Sequence, residues 1–180
     1  MVETAQKSSR VQLVAILLIA SVSLAAAYIL YYLARDGGVW ATTNHGEFVQ
    51  PPVTLADLGV VDDQGNSLRT GANWWLWVVV SEQCGAECKT AVRRLRALHV
   101  LLNKDASRIR RALVTPRALA PPAILEDYPN MRHLGLTGGL EDGIYIVDPL
   151  GNLVFFYPYA DAGSPLLDDL KRLLKISQIG

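Results

Sequence analysis

The sequence predicts an α/β fold, a central mixed β-sheet flanked by helices, preceded by one N-terminal transmembrane helix. Three observations carry this expectation. An uncharged apolar stretch runs from Leu13 to Leu33. The segment WWLWVVV at 74–80 is apolar without alternation, the pattern of a strand buried on both faces. The run that follows, from about Ala86 to Asn103, has helical periodicity: Cys88, Val92, Leu95, His99 and Leu102 recur at steps of three and four, with Leu98 and Leu101 widening the stripe.

The apolar stretch comes first in the chain. A helix from Leu13 to Leu33 reaches about 30 Å, the thickness of a bilayer's hydrocarbon core. Lys7 and Arg10 precede it and favour the cytoplasmic side, while Tyr28, Tyr31, Tyr32 and Trp40 cluster toward the far end, at headgroup level. The reading is therefore a cytoplasmic N-terminus at 1–12, an anchor at 13–33, a juxtamembrane lead at 34–52 and a folded domain at 53–180. A cleaved signal peptide is the main alternative, with SLAAA at 23–27 as the processing site, and a buried cytosolic helix is a minor third. Anchor and signal peptide both place the rest of the chain outside the cytoplasm.

The remaining chain suffices for one domain with a real core and is short for two. Its two cysteines are too few for a disulfide-rich scaffold, so the domain folds by its core. A net formal charge of zero argues against a general nucleic-acid binder.

Within the domain the elements follow in order. The lead is rich in turn formers and holds one short strand near Gly46–Val49. DDQGN at 62–66 turns a hairpin between Val60–Val61 and Ser67–Leu68. After the buried strand and the helix, RIRRALVTP offers a second strand over Ile109–Thr115, closed by Pro116. The stretch from Arg117 to Leu136 is mixed, with a short helix at Ala123–Tyr128. GIYIVDPLGNLVFFYP at 143–158 reads as a hairpin around Asp148–Asn152. Ser164 caps a last helix opened by Pro165, with Asp168 and Asp169 early and Lys171, Arg172 and Lys175 late, matching its dipole. Strand, helix, strand, short helix, hairpin, helix is the thioredoxin-like plan.

That plan puts Cys84 and Cys88, in SEQCGAECK, just beyond the buried strand and at the start of the first major helix. A helix N-terminus favours thiolate over thiol, and Lys89 and Arg93 add positive charge against Glu82 and Glu87. Cys84, at or before the cap, faces solvent; Cys88, one turn on, begins the apolar stripe. Residues four apart lie about 6 Å apart at Cα, within disulfide range. Reduced, the same pair offers two soft ligands to copper. An inert disulfide is the third use, though so short a loop constrains the unfolded chain little.

The anchor, the strand running into C-x-x-x-C (Cys84, Cys88) and the late Y-x-x-D-P-x-G hairpin (Tyr145, Asp148, Pro149, Gly151) resemble the Sco/SenC family. The resemblance implies a thioredoxin-fold protein on the outer face of a bacterial cytoplasmic membrane, single-pass, with its domain in the periplasm. It further implies a role in assembling the copper centre of cytochrome c oxidase, with a respiratory oxidase subunit or another copper or thiol assembly protein as partner. Two positions depart from the family. Gly85 stands where a proline usually follows the first cysteine, and Leu140 stands where the family places its copper-binding histidine. The residues before Ile144 (Glu141, Asp142, Gly143) also lack the cis-proline of thioredoxins, as Sco proteins do.

Among the other histidines, His99 falls in the apolar stripe and reads as core, and His45 reads as surface. His133, in YPNMRHLG beside Met131, is the donor that a loop folding over the cysteines would bring. From Lys89 to Arg117 nine basic residues face Asp105 alone, a patch for an acidic partner or anionic headgroups, or else a solvated helix face.

Three functions fit these residues. The leading one is a membrane-anchored, Sco-like thiol–disulfide protein that keeps another protein's copper-ligand cysteines reduced, needing no cofactor of its own. The second is a copper chaperone using Cys84, Cys88 and His133. The third is a non-enzymatic assembly scaffold that binds through its basic helix.

Overall fold

The computed structural model describes residues 2–35 and 43–177. Residues 36–42 of the 34–52 lead, Trp40 among them, lie outside the described residues. The chain divides into two compact units, Met1–Thr43 and Asn44–Gly180.

The first unit is helix α1, Val2–Arg35. Its segment Arg10–Leu33 comprises 24 residues, long and apolar enough to cross a membrane. At 1.5 Å per residue that is about 36 Å, so the span reaches the expected thickness with a margin. The Tyr28 hydroxyl donates to that of Tyr32 at 3.1 Å, one turn on.

The second unit is built on a six-stranded sheet. Its strands are β1 (Glu47–Phe48), β2 (Trp74–Val79), β3 (Ile109–Pro116), β4 (Met131–Leu136), β5 (Gly143–Val147) and β6 (Leu153–Tyr157). Their spatial order is β1-β6-β5-β2-β3-β4. β2 runs parallel to β3, and β3 to β4, while β5 pairs antiparallel with β2 and with β6. The helices are α2 (Leu55–Leu58), α3 (Ala86–Leu101) and α4 (Ser164–Ile176).

β2 is central and every one of its residues is buried. Side chains alternate across a strand, so Trp74, Leu76 and Val78 join one core while Trp75, Trp77 and Val79 join the other. The first core is closed by the apolar stripes of α3 (Cys88, Ala91, Val92, Leu95, Leu98) and α4 (Leu166, Leu167, Leu170, Leu174). The second face carries less helix than the first. The four-residue α2, through Leu55 and Leu58, the 60–68 hairpin, through Val60 and Leu68, and the partly buried Val49, Val53 and Leu140 close it.

Turn chemistry fixes the two hairpins. Asp148 accepts the N–H groups of Leu150 and Asn152, both at 2.8 Å, and Gly151 adopts φ +92° between them. Asp62 likewise accepts from Gln64 at 3.0 Å and Asn66 at 2.9 Å.

Three details differ from the sequence reading. The stretch 131–136 is strand β4, not loop. Helix α4 is capped by Gly163 without a side-chain bond, and Ser164 is its first residue. Asp169 is buried at 3 % exposure and serves no helix dipole. It accepts from the N–H of His45 at 2.6 Å, the N–H of Gly46 at 2.9 Å and the Tyr157 hydroxyl at 2.8 Å, tying the lead segment to the sheet.

Candidate functional site

β2 delivers the chain to the site. Val80 still bonds to the sheet through Val114, and the N–H of Ser81 then donates to the Asp142 carboxylate at 2.8 Å. Asp142 lies in the turn before β5, so this bond holds the cysteine-bearing loop against the next strand. Four residues later Gly85 occupies the N-cap of α3, with no side-chain cap, and the first helical bond runs from Lys89 N–H to Gly85 C=O at 3.0 Å. The N-terminal amides of α3 therefore face the site, and their dipole favours a thiolate there.

Cys84 and Cys88 form a disulfide across this cap, with Cα atoms 5.2 Å apart. They are unequal partners. Cys88 is 2 % exposed within the first core, whereas Cys84 is only half-buried. A cleft of about 380 Å³ opens beside Cys84, walled by Gln83, Lys89, Leu119 and Ile124. A second hollow of about 370 Å³ shares Lys89 and Ile124 and continues to Arg93, Asp127 and Tyr128. Together they make a groove, part apolar and part basic, leading along α3 from the outer sulfur. The 117–127 wall was not foreseen; PRALAPPAI at 116–124 carries its apolar side chains, which is the signal that was there to read.

Tyrosines brace the opposite side. The Tyr159 hydroxyl donates to the Val79 carbonyl at the end of β2. Burial, and then the charge of Asp142, pushes its pKa up, so it stays a donor. Tyr145 donates to the Glu141 carbonyl at 3.2 Å, and burial pushes its pKa up to about 12.

The structure brings Cys84 and Cys88 together but does not bring His133 to them. His133 sits on β4, with Nε2 2.9 Å from Thr115 Oγ1 and Nδ1 2.9 Å from Asp63 Oδ1. Both ring nitrogens are thus engaged. Among the described residues no group of three or more His, Cys, Asp or Glu side chains is placed to hold a metal. Leu140 packs partly buried against the second core. His99 is partly buried on α3, its Nδ1 without a partner, and burial and then Arg111 push its pKa down. His45 is exposed.

The basic run does not act as one patch. Arg108 donates to the carbonyls of Leu174 and Ser177, each at 2.9 Å, closing the end of α4. Arg94 donates to the Ala160 carbonyl at 3.0 Å, and Arg96 lies 5.8 Å over the Tyr128 ring.

A helix-capped cysteine pair beyond a buried parallel strand, on a mixed sheet closed by helices, defines a thioredoxin-like domain. Residues 74–177 match the family described as transmembrane-like, thioredoxin-like, C-terminal domain, and the chain belongs to that family. The same fold is seen in solved Sco proteins. The solution structure of apo Sco1 from Thermus thermophilus aligns with TM-score 0.52 and 16 % identity over 73 % of this chain and 97 % of its own. Yeast Sco1 aligns with TM-score 0.51 and 16 % identity over 66 % of this chain and 95 % of its own. At these identities the likeness is one of fold. No curated protein matches the sequence.

Proposed function

We propose that this protein is a membrane-anchored, Sco-like thiol–disulfide protein that serves assembly of the copper centre of cytochrome c oxidase by reducing copper-ligand cysteines of its partner. The observation that carries the reading is the asymmetry of the disulfide: half-buried Cys84 opens onto a groove, while Cys88 is sealed in the core. A resolving thiol belongs inside and an attacking thiol outside. The Sco-like fold and the apolar N-terminal helix support the setting, with the domain on the periplasmic side of a bacterial membrane.

The exchange proceeds in two balanced steps. In the reduced protein the Cys84 thiolate attacks one sulfur of a client disulfide; a Cys84–client bond forms, and the client's other sulfur leaves as thiolate and is protonated. Cys88, giving up its proton, then attacks the Cys84 sulfur and closes the 84–88 disulfide. The client's remaining sulfur departs as thiolate and takes up a proton. The client gains two electrons and two protons; this chain supplies both electrons and the Cys88 proton, water supplies the second proton, and an external dithiol reductant restores the pair.

Asp142 positions the loop through Ser81, and the α3 N-terminus stabilises the Cys84 thiolate between turnovers. Copper enters this scheme as cargo. Reduced, Cys84 and Cys88 present two soft sulfurs suited to Cu(I). A chaperone using His133 as third ligand requires that ring to leave both Thr115 and Asp63.

Trapping tests the reading. In membranes containing the oxidase, C88S should accumulate a mixed disulfide between Cys84 and the oxidase subunit that bears the copper-ligand cysteines, and C84S should not. Equal trapping by both variants, or by neither, overturns it.

A further inference from the structure

At the end of the sheet opposite the cysteines, the starts of β2, β3 and β4 surround a hollow of about 370 Å³ whose charged lining residues are all arginines: Arg69, Arg110, Arg111 and Arg132. The three strands run parallel, so their N-terminal ends lie together here, while Cys84 follows the C-terminal end of β2. Register explains how the charges meet. Arg110 is paired with Trp75, and Arg132 with Ala112, two residues along β3 from Arg110. Residues in that relation share a face and are diagonal neighbours about 7–8 Å apart.

The floor between them is aromatic and fixed. Trp75 is 2 % exposed, and its indole N–H donates to the Thr70 carbonyl at 3.2 Å. The Arg132 guanidinium lies 5.8 Å over that ring. Gly71 and Ala72 both take positive φ, bending the 70–73 turn that carries Arg69 to the rim. The Asn73 side chain braces this turn through the Gly71 carbonyl at 2.8 Å.

Nothing in the described residues neutralises this charge. The ion pairs found are Arg108–Asp105 and His133–Asp63, neither of which involves these arginines. Arg111, paired with Leu76 and Met131, turns its side chain to the α3 face and only borders the hollow. Asp62 feels Arg132 only as the last contribution to its lowered pKa, behind the N–H of Asn66. Three exposed guanidiniums around a fixed aromatic floor, with no carboxylate ion-paired to them among the described residues, are an arrangement an anion completes.

We infer that this hollow is a binding site for a phosphate-bearing ligand. Guanidinium forks match phosphate oxygens bidentately, and several together suit a group carrying more than one negative charge better than a single carboxylate. The site is remote from the disulfide and independent of the exchange proposed above. Its ligand chemistry is shared by a soluble phosphate and by a phospholipid headgroup.

The test uses the full chain in phosphatidylcholine nanodiscs at low ionic strength. Inorganic pyrophosphate and sn-glycerol 3-phosphate, the headgroup of phosphatidate, are titrated separately by calorimetry. Saturable one-to-one binding is expected, weakened tenfold or more in R110Q/R132Q and unchanged in R93Q, whose arginine lies on α3 outside the hollow. Both substituted arginines are exposed, so the variant should keep the wild-type melting temperature. Tighter binding of pyrophosphate assigns a soluble source, and tighter binding of glycerol phosphate assigns a lipid. Absence of saturable binding by both probes overturns the inference. So does an equal loss in R93Q, which would mean attraction to general positive charge.

Discussion

Replacing Asp169 by alanine should loosen the junction between the lead segment and the domain. The wild-type carboxylate is buried and accepts three hydrogen bonds, from His45 N–H, Gly46 N–H and the Tyr157 hydroxyl. His45 is exposed and can turn to water, but Gly46 and Tyr157 are buried. Gly46 has no Cβ, which leaves the Tyr157 ring room to pack directly on its backbone. Leaving a buried donor unsatisfied costs about 1–3 kcal/mol, so two of them give roughly 3–4 kcal/mol near the middle of that range. Removing a buried carboxylate relieves some desolvation, which favours the lower figure. At about 2–4 °C per kcal/mol for a chain of this size, D169A should melt roughly 6–12 °C below wild type by near-ultraviolet circular dichroism in neutral detergent. D169N keeps one acceptor and should lose about half as much. Limited proteolysis should cut D169A after His45 sooner than elsewhere in the domain. A D169A protein that melts within 2 °C of wild type would refute the reasoning.

Two further outcomes follow from the same geometry. Tyr145 has a folded pKa raised to about 12 by burial, against an ordinary value of about 10. Its stabilising contribution is therefore complete below pH 10 and is lost as pH climbs through 12, by about 1.4 kcal/mol per unit; Y145F should flatten the fall of melting temperature over that window, and an unchanged slope would contradict the assignment. H133A should leave the Cu(I) stoichiometry of the reduced protein unchanged, since His133 is held by Thr115 and Asp63. Loss of Cu(I) in H133A, followed by competition with a chromogenic chelator, would favour the chaperone reading.

Much of the fold was legible because its strongest signals are one-dimensional. WWLWVVV has no polar residue to offer a solvent face, so it had to be central, and the stripe beginning at Cys88 had to lie on its core. The 143–158 hairpin announced itself through Asp148 and Gly151, which the turn uses as hydrogen-bond acceptor and positive-φ residue. β4 was hidden because MRHLGL carries Arg132 and His133 within an edge strand whose outer side meets only the Val61 bridge to Gly135. Asp169 misled because a carboxylate early in a helix normally serves the dipole; its three donors come from the lead and from β6, far away in sequence. The closeness of Cys84 and Cys88 was legible as a local feature, and their groove was not, since the wall at 117–127 depends on how an irregular segment folds back onto α3. Of the arginines around the hollow only Arg110 and Arg111 fall in the basic run 89–117, and only parallel register brings Arg110 and Arg132 to one face.

The central claim is that Cys84 attacks and Cys88 resolves, and stepwise alkylation of the reduced full chain tests it most directly. The protein is reduced in detergent, exposed briefly to iodoacetamide at a series of pH values and digested, and the two cysteine peptides are quantified by mass spectrometry. Half-buried Cys84, at the uncapped N-terminus of α3, should be labelled first and at lower pH, with Cys88 following only after unfolding or long exposure. Equal and slow labelling of both thiols, or earlier labelling of Cys88, would contradict the account.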